Sequence, residues 1–226
     1  MDIAIIPARA GSKRIKNKNI KLFCGKPIIY WTIKKIKNSN LFDKIIVTSD
    51  SNKILNISKK CGADILIKRN KKLSNDFTPT HPVINHSILS LSNLSINKVC
   101  CFYPCNPFLN ILDIKKAFIL QKKNKNKFIC SISKYSHPIQ RALKVNRLKK
   151  INFFFKTNPS IRTQDLKNLF HDAGQFYFAS KKIWLNKKDV LENSIALKIP
   201  SWRSIDIDTL EDWKKAELLF KVFKLF

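Results

Sequence analysis

Apolar and polar positions follow two rhythms along the first half of the chain. Short runs of apolar, often β-branched residues occupy 3–7 (IAIIP), 44–50 (KIIVTSD), 64–68 (DILIK), 98–103 (KVCCFY) and 127–133 (KFICSIS). Each has the length and composition of a buried strand. Between them the apolar residues recur at helical spacing. Residues 27–38 place Ile29, Ile33 and Ile36 on one face, with Pro27 in the first turn. Residues 51–60 form a second helix, closed by Gly62, and 80–94 and 113–122 are two more. Strand and helix in alternation predict an α/β fold with a mostly parallel sheet covered on both faces.

The rhythm loosens over 134–171. Short strands, HPIQRALKV and INFFF, precede a polar loop, which suits an excursion from the sheet or a dimerisation arm. Strands return at 175–180 and 195–200. A final amphipathic helix spans 209–224, capped by Thr209 or Asp208, with Glu211 and Asp212 in its first turn. The 226 residues fit one domain. No apolar run is long enough for a transmembrane helix, and the N-terminus lacks the form of a signal peptide. A cytoplasmic protein without membrane contact is expected.

Charge adds an ambiguity. Lys and Arg number 44 against 15 Asp and Glu, a net charge of +29. A non-catalytic nucleic-acid binder would carry such charge. So would a chain whose composition has drifted toward Lys, Asn and Ile, because the cations are spread along the whole length. The six cysteines form no C-x-x-C pair and no zinc spacing. Cys100 and Cys101 sit in an apolar run and suit reduced core residues.

Four constellations can carry chemistry. After the first strand, a loop with Gly11 and Ser12 is crowded by Arg9, Lys13, Arg14, Lys16, Lys18 and Lys21. It matches neither a Walker A loop nor a dinucleotide fingerprint. Its place at the carboxyl edge of a sheet, with Gly11 allowing a sharp turn, suits a polyphosphate; the alternative is a solvated basic loop. Near the other end, Ser204-Ile205-Asp206-Ile207-Asp208 reads as a strand with both aspartates on one side, roughly 7 Å apart. Paired carboxylates suit Mg²⁺ with phosphate oxygens; the alternative is a capped strand–helix junction. His171-Asp172-Ala173-Gly174-Gln175-Phe176-Tyr177 offers polar groups for a sugar pocket, or merely a polar surface. Thr48-Ser49-Asp50 and Arg69 fall at the ligand edge, where a helix cap is the competing explanation for the first. His81 and His86 are poorly spaced for joint metal binding.

Together these residues resemble the CMP-sialic acid synthetase (acylneuraminate cytidylyltransferase) family. The resemblance rests on Ala8-Arg9-Ala10-Gly11-Ser12-Lys13, Lys18-Asn19 and Ile205-Asp206-Ile207-Asp208-Thr209, and spans Ile3 to about Leu219. Sialic acid enzymes usually carry L-Q-P-T-S-P-L-R after the fourth strand, where this chain has Phe102-Tyr103-Pro104-Cys105-Asn106-Pro107-Phe108-Leu109. D-A-G-Q-F-Y is similar to the pseudaminate branch. The resemblance implies a Rossmann-like three-layer nucleotidyltransferase fold and transfer of CMP from CTP to a nine-carbon sugar acid, pseudaminate foremost. Legionaminate, N-acetylneuraminate and 3-deoxy-manno-octulosonate are the alternatives. It implies nucleotide contacts from Ala8, Arg9, Gly11, Ser12, Lys13, Lys18, Arg69 and Thr80, with Arg9, Lys13 and Asp208 catalytic. It implies sugar contacts from Tyr103, Gln175 and Tyr177, Mg²⁺ on Asp206 and Asp208, and a homodimer with 134–171 as its contact arm. Nucleic acid is not an expected partner.

Overall fold

The computed structural model describes residues 1–156 and 160–223. Strand β1 (Asp2–Pro7) leads through the basic loop to a small hairpin, β2 (Leu22–Phe23) and β3 (Lys26–Pro27). Then follow α1 (Ile28–Ser39), β4 (Lys44–Ser49), α2 (Asn52–Lys60), β5 (Ile65–Lys68), α3 (Thr80–Leu89), β6 (Lys98–Phe102), α4 (Ile111–Lys123) and β7 (Ile129–Lys134). A second hairpin, β8 (Leu143–Val145) and β9 (Ile151–Phe153), precedes β10 (Phe170–Ser180), α5 (Lys181–Asn186), β11 (Ile195–Ile199) and α6 (Leu210–Val222).

Seven strands form one sheet in the order β11-β7-β10-β6-β1-β4-β5. Pairings are parallel except those of β10, which runs antiparallel to both β6 and β7. Alternate residues of β1 feed opposite cores. Ala4 and Ile6 pack with Ile29 and Ile33 of α1, while Ile3 and Ile5 pack with Ile84 and Ile88 of α3. Burial on both faces is why the strands read as continuous apolar runs. A third cluster joins the β2–β3 hairpin to α6 through Phe23, Trp31, Trp213 and Phe220, with the Phe23 ring edge-on to Trp213 at 5.5 Å.

Several elements differ from the sequence reading. No strand forms over 204–208; the segment is irregular and follows a short 3₁₀ turn at Ser201–Arg203. Its alternation survives in burial, with Ile207 in the core and Asp206 outside. Of the two expected caps it is Thr209 that caps α6, in a reciprocal capping box with Asp212, which leaves the Asp208 carboxylate free of that duty. Helix α3 stops at Leu89, five residues short of the expected end at 94. Strand β10 begins at Phe170 rather than 175, so His171 and Asp172 lie on it, paired with β7. Hairpin β2–β3 and helix α5 are too short to show a period in sequence.

Within the expected excursion, 134–171, the chain leaves the sheet only between Lys134 and Phe170; Lys134, Phe170 and His171, the ends of that stretch, are paired within it. All of β8 and β9 is exposed, including Val145 at 64% and Ile151 at 63%. Residues 157–159 of that expected excursion, and 224 of the expected last helix, lie outside the described residues.

Candidate active site

Two cavities meet at the carboxyl edge of β1 and β6. The first, about 580 Å³, is lined by Arg9, Ser12, Lys13 and Arg14 from the basic loop. Across it stand Arg69, Asp76, Thr80 and Asp208. The second, about 420 Å³, is lined by Asn106, Asp172, Gln175, Tyr177, Arg203 and Asp206. Lys18, Asn19, Tyr103 and Pro104 form a wall common to both. The result is one cleft with two lobes. Asp208 looks into one and Asp206 into the other. Cations from the start of the chain and carboxylates from its end thus share a single cleft.

The basic loop is held by its backbone. Ala8 N–H donates to the Thr48 carbonyl at 2.9 Å, and Ala10 N–H donates to Asp50 Oδ1 at 2.9 Å. Asn19 is buried and its Nδ2 donates to the Arg9 carbonyl at 2.8 Å. Ser49 Oγ accepts from the Ser51 N–H, and Ser51 caps α2. Thr48-Ser49-Asp50 therefore organises the loop and the helix start rather than facing a ligand. Ala8 lies in the core and lines neither cavity, nor does Gly11. Gly11 has an ordinary φ and open space where a Cβ would be, so no sharp turn requires it. The left-handed position of the loop is Asn17, with φ 56. His81 Nε2 lies 2.8 Å from the Trp184 carbonyl, a structural contact.

Four cations of the first lobe are already paired with aspartates. Arg9 Nη1 and Lys13 Nζ reach the two oxygens of Asp76 at 2.5 and 2.6 Å. These bonds, Lys13's first, hold the Asp76 carboxyl below its usual range. Arg14 Nη2 and Lys18 Nζ reach Asp208 at 2.6 and 3.1 Å. Lys18 Nζ also donates to the Ile207 carbonyl at 2.8 Å. Partial loss of water in the cleft, then repulsion from Asp208, pushes the Asp206 carboxyl up. Two neighbouring carboxylates, with Lys18 and Arg14 beside them, are a hard-oxygen donor set suited to a divalent cation. Among the described residues no three or more His, Cys, Asp or Glu side chains gather as a metal centre. A cation here would therefore rely on the aspartates and on ligand oxygens.

Arg69 is 5% exposed and its Nε donates to Ser74 Oγ at 2.8 Å, while its Nη1 has no partner. Burial lowers its pKa. A buried donor without a partner is uncommon, and this one belongs to a residue of the cavity wall. At the shared wall Thr80 Oγ1, from the first lobe, lies 2.8 Å from the Tyr103 hydroxyl. The Tyr103 and Tyr177 rings stand edge to face at 5.8 Å. Beneath them Arg203 Nη1 bonds Asp113 Oδ2 at 2.5 Å, both almost wholly buried.

Of the sequence candidates, the cleft brings together Arg9, Ser12, Lys13, Lys18, Arg69, Thr80, Tyr103, Gln175, Tyr177, Asp206 and Asp208. Asp76, Asp113 and Arg203 escaped sequence reasoning. Asp76 sits in a loop without pattern, and the Arg203–Asp113 pair spans ninety residues. The only signal was the scarcity of acids: each of the 15 is expected to find a partner in so basic a chain.

This architecture, a mostly parallel sheet with a cationic loop after β1 facing carboxylates ahead of the last helix, defines a nucleotide-using α/β protein. A family model described as Cytidylyltransferase matches residues 3–212. The chain belongs to the cytidylyltransferase family. It is 37% identical to a pseudaminic acid cytidylyltransferase of Campylobacter jejuni, over 98% of this chain and 97% of that one. It is 31% identical to a CMP-N,N'-diacetyllegionaminic acid synthase of Legionella pneumophila, over 97% and 96% of the two chains. Its fold is that of a solved CMP:2-keto-3-deoxy-manno-octonic acid synthetase complexed with CTP, with a TM-score of 0.73, 14% identity and coverage of 98% and 99%. No helix of the described residues is long and apolar enough to cross a membrane.

Proposed function

We propose that this protein transfers CMP from CTP to the anomeric hydroxyl of a nonulosonic acid, pseudaminate foremost, and releases pyrophosphate. One observation carries the reading: the two lobes share a wall, so a triphosphate in one and a sugar in the other would meet at Lys18 and the aspartates. The likeness to the C. jejuni enzyme across nearly the whole chain supports pseudaminate.

In this reading the triphosphate takes the place of Asp76 on Arg9 and Lys13. Ser12 and Thr80 line its path, and Arg69 offers its unpaired Nη1 to the nucleotide. Two anions must approach one another, so fixed cations around the reacting phosphorus are required. Lys13 neutralises charge on the phosphates, and Tyr103, Gln175 and Tyr177 hold the sugar with its anomeric oxygen toward the α-phosphorus. Asp206 and Asp208 would hold Mg²⁺, which supplies charge neutralisation and a lowered pKa for a coordinated hydroxyl. The exposed β8–β9 arm, with Leu143, Val145, Ile151 and Phe153, is the contact of a homodimer. Light scattering on a Val145→Asp, Ile151→Asp variant checks this; an unchanged dimer mass refutes it.

Pyrophosphate release tests the function, with CTP and a panel of nonulosonic acids. Release is expected only with both substrates and Mg²⁺. No release with any sugar acid, alongside salt-sensitive DNA binding indifferent to Asp208, would replace the enzyme with a nucleic-acid binder.

A further inference from the structure

In the second lobe β10 carries two side-chain oxygens, Gln175 Oε1 and the Tyr177 hydroxyl oxygen, whose bonds leave them to act as acceptors. Gln175 is 2% exposed, and its Nε2 donates to the Arg203 carbonyl at 2.7 Å. A carbonyl only accepts, so this bond decides which way round the amide sits. Gln175 Oε1 is left buried with no partner. Tyr177 is 3% exposed and donates its one proton to Asp172 Oδ2. Asp172 is fixed in turn, because its Oδ1 accepts from the Gly174 N–H at 2.9 Å. That contact lies in the irregular stretch of β10, where Gly174 has φ +58 and a Cβ would come within 3.6 Å of the Tyr103 ring. Burial, with Tyr103 and Asp172 alongside, pushes the Tyr177 hydroxyl far up, so its proton stays in place.

A buried acceptor without a donor is unfavourable in an empty cavity and favourable once a ligand supplies one. We propose that Gln175 Oε1 and the Tyr177 hydroxyl oxygen form an acceptor-only pair that selects the N–H of an acylamino substituent on the sugar acid, with Asp172 as the positioning residue that keeps Tyr177 in that sense. The inference rests on the functional reading above and deepens it. An amide N–H has no lone pairs to leave idle or to repel. A carboxylate is repelled from this wall, which directs the sugar's own carboxylate toward Lys18, the cation common to both lobes. Asp172 does not touch the substrate in this account; it sets the direction of a hydroxyl that does.

Asp172→Asn tests the pair. The new side chain keeps its oxygen for the Gly174 N–H and turns an amide NH₂ toward Tyr177, whose proton must then point elsewhere. Calorimetry with an N-acylated nonulosonic acid, and with the matching acid bearing a hydroxyl in place of the acylamino group, reads the change without needing turnover. Affinity for the acylated sugar is expected to fall roughly ten- to a hundredfold. The hydroxyl analogue can reverse its own bond and should lose no more than about threefold, with CTP affinity unchanged. Equal losses on both sugars, or no loss on either, overturn the proposal. If circular dichroism shows that Asp172→Asn does not fold, Tyr177→Phe removes the acceptor while keeping the ring. Unchanged affinity for the acylated sugar in that variant would also overturn it. A wild-type protein that bound no acylated sugar acid would instead remove the functional reading itself.

Discussion

Replacing Asp208 by Asn separates the chemistry of the cleft from its stability. The substitution keeps shape and removes one charge. That charge accepts from Arg14 at 2.6 Å and from Lys18 at 3.1 Å. Arg14 is 67% exposed, so its pair contributes under about 1 kcal/mol. The Lys18 pair is better shielded, at 21% and 27% exposure, and contributes about 1 kcal/mol. Lys18 keeps its bond to the Ile207 carbonyl, and the Thr209–Asp212 capping box is untouched. The expected loss is about 1–2 kcal/mol, or a melting temperature roughly 2–8 °C lower. The protein therefore stays folded at 25 °C. Activity should fall much further. One of the two carboxylates proposed to hold Mg²⁺ would be gone, and losing about 3 kcal/mol of transition-state stabilisation means a rate roughly 150-fold lower. Pyrophosphate release at saturating CTP, sugar and Mg²⁺ measures the rate, and scanning calorimetry the stability. An Asp208→Asn variant with activity within about threefold of wild type would refute the placement of the cation. So would a variant that loses activity only because it melts.

Three further outcomes follow from the same geometry. Asp206 has its pKa raised by partial loss of water in the cleft and by Asp208, so the native state holds its proton to higher pH than the unfolded chain. Its contribution to stability declines as pH rises through that window, and cation binding strengthens over the same range. At limiting Mg²⁺ the acid limb of kcat/KM should lie above the usual carboxylate range and move down as Mg²⁺ is raised; a limb indifferent to Mg²⁺ refutes this. Asp113→Ala strands the Arg203 guanidinium, which is 10% exposed, and should destabilise by about 3–5 kcal/mol; a thermal midpoint within about 2 °C of wild type would contradict it. Arg69→Met keeps the burial and removes the unpaired donor, so KM for CTP should rise at least about tenfold with KM for the sugar unchanged; an unaltered CTP KM removes Arg69 from the nucleotide site.

The run of strands and helices from 3 to 133 was legible because each strand is buried on both faces and each helix on one, and burial writes its period into sequence. The cationic loop and the late aspartates could be seen for a related reason. A basic loop directly after a buried strand is visible in one dimension, and acids are few in this chain. Sequence could not say which groups face one another. Gly11 looked like the hinge of the loop, yet Asn17 takes the left-handed position. The segment 204–208 read as a strand from its alternation, but Thr209 and the turn at Ser201–Arg203 bring it past the sheet edge without ladder bonds. Asp76 on Arg9 and Lys13, Asp113 under Arg203, and Asp172 on Tyr177 are partnerships made by folding. The first and second of them join residues far apart in the chain, and the third depends on an irregular strand that backbone geometry alone creates. Periodicity is a local property and survives in one dimension; the polarity of a hydrogen bond, and the charge that answers a charge, exist only once the chain has closed on itself.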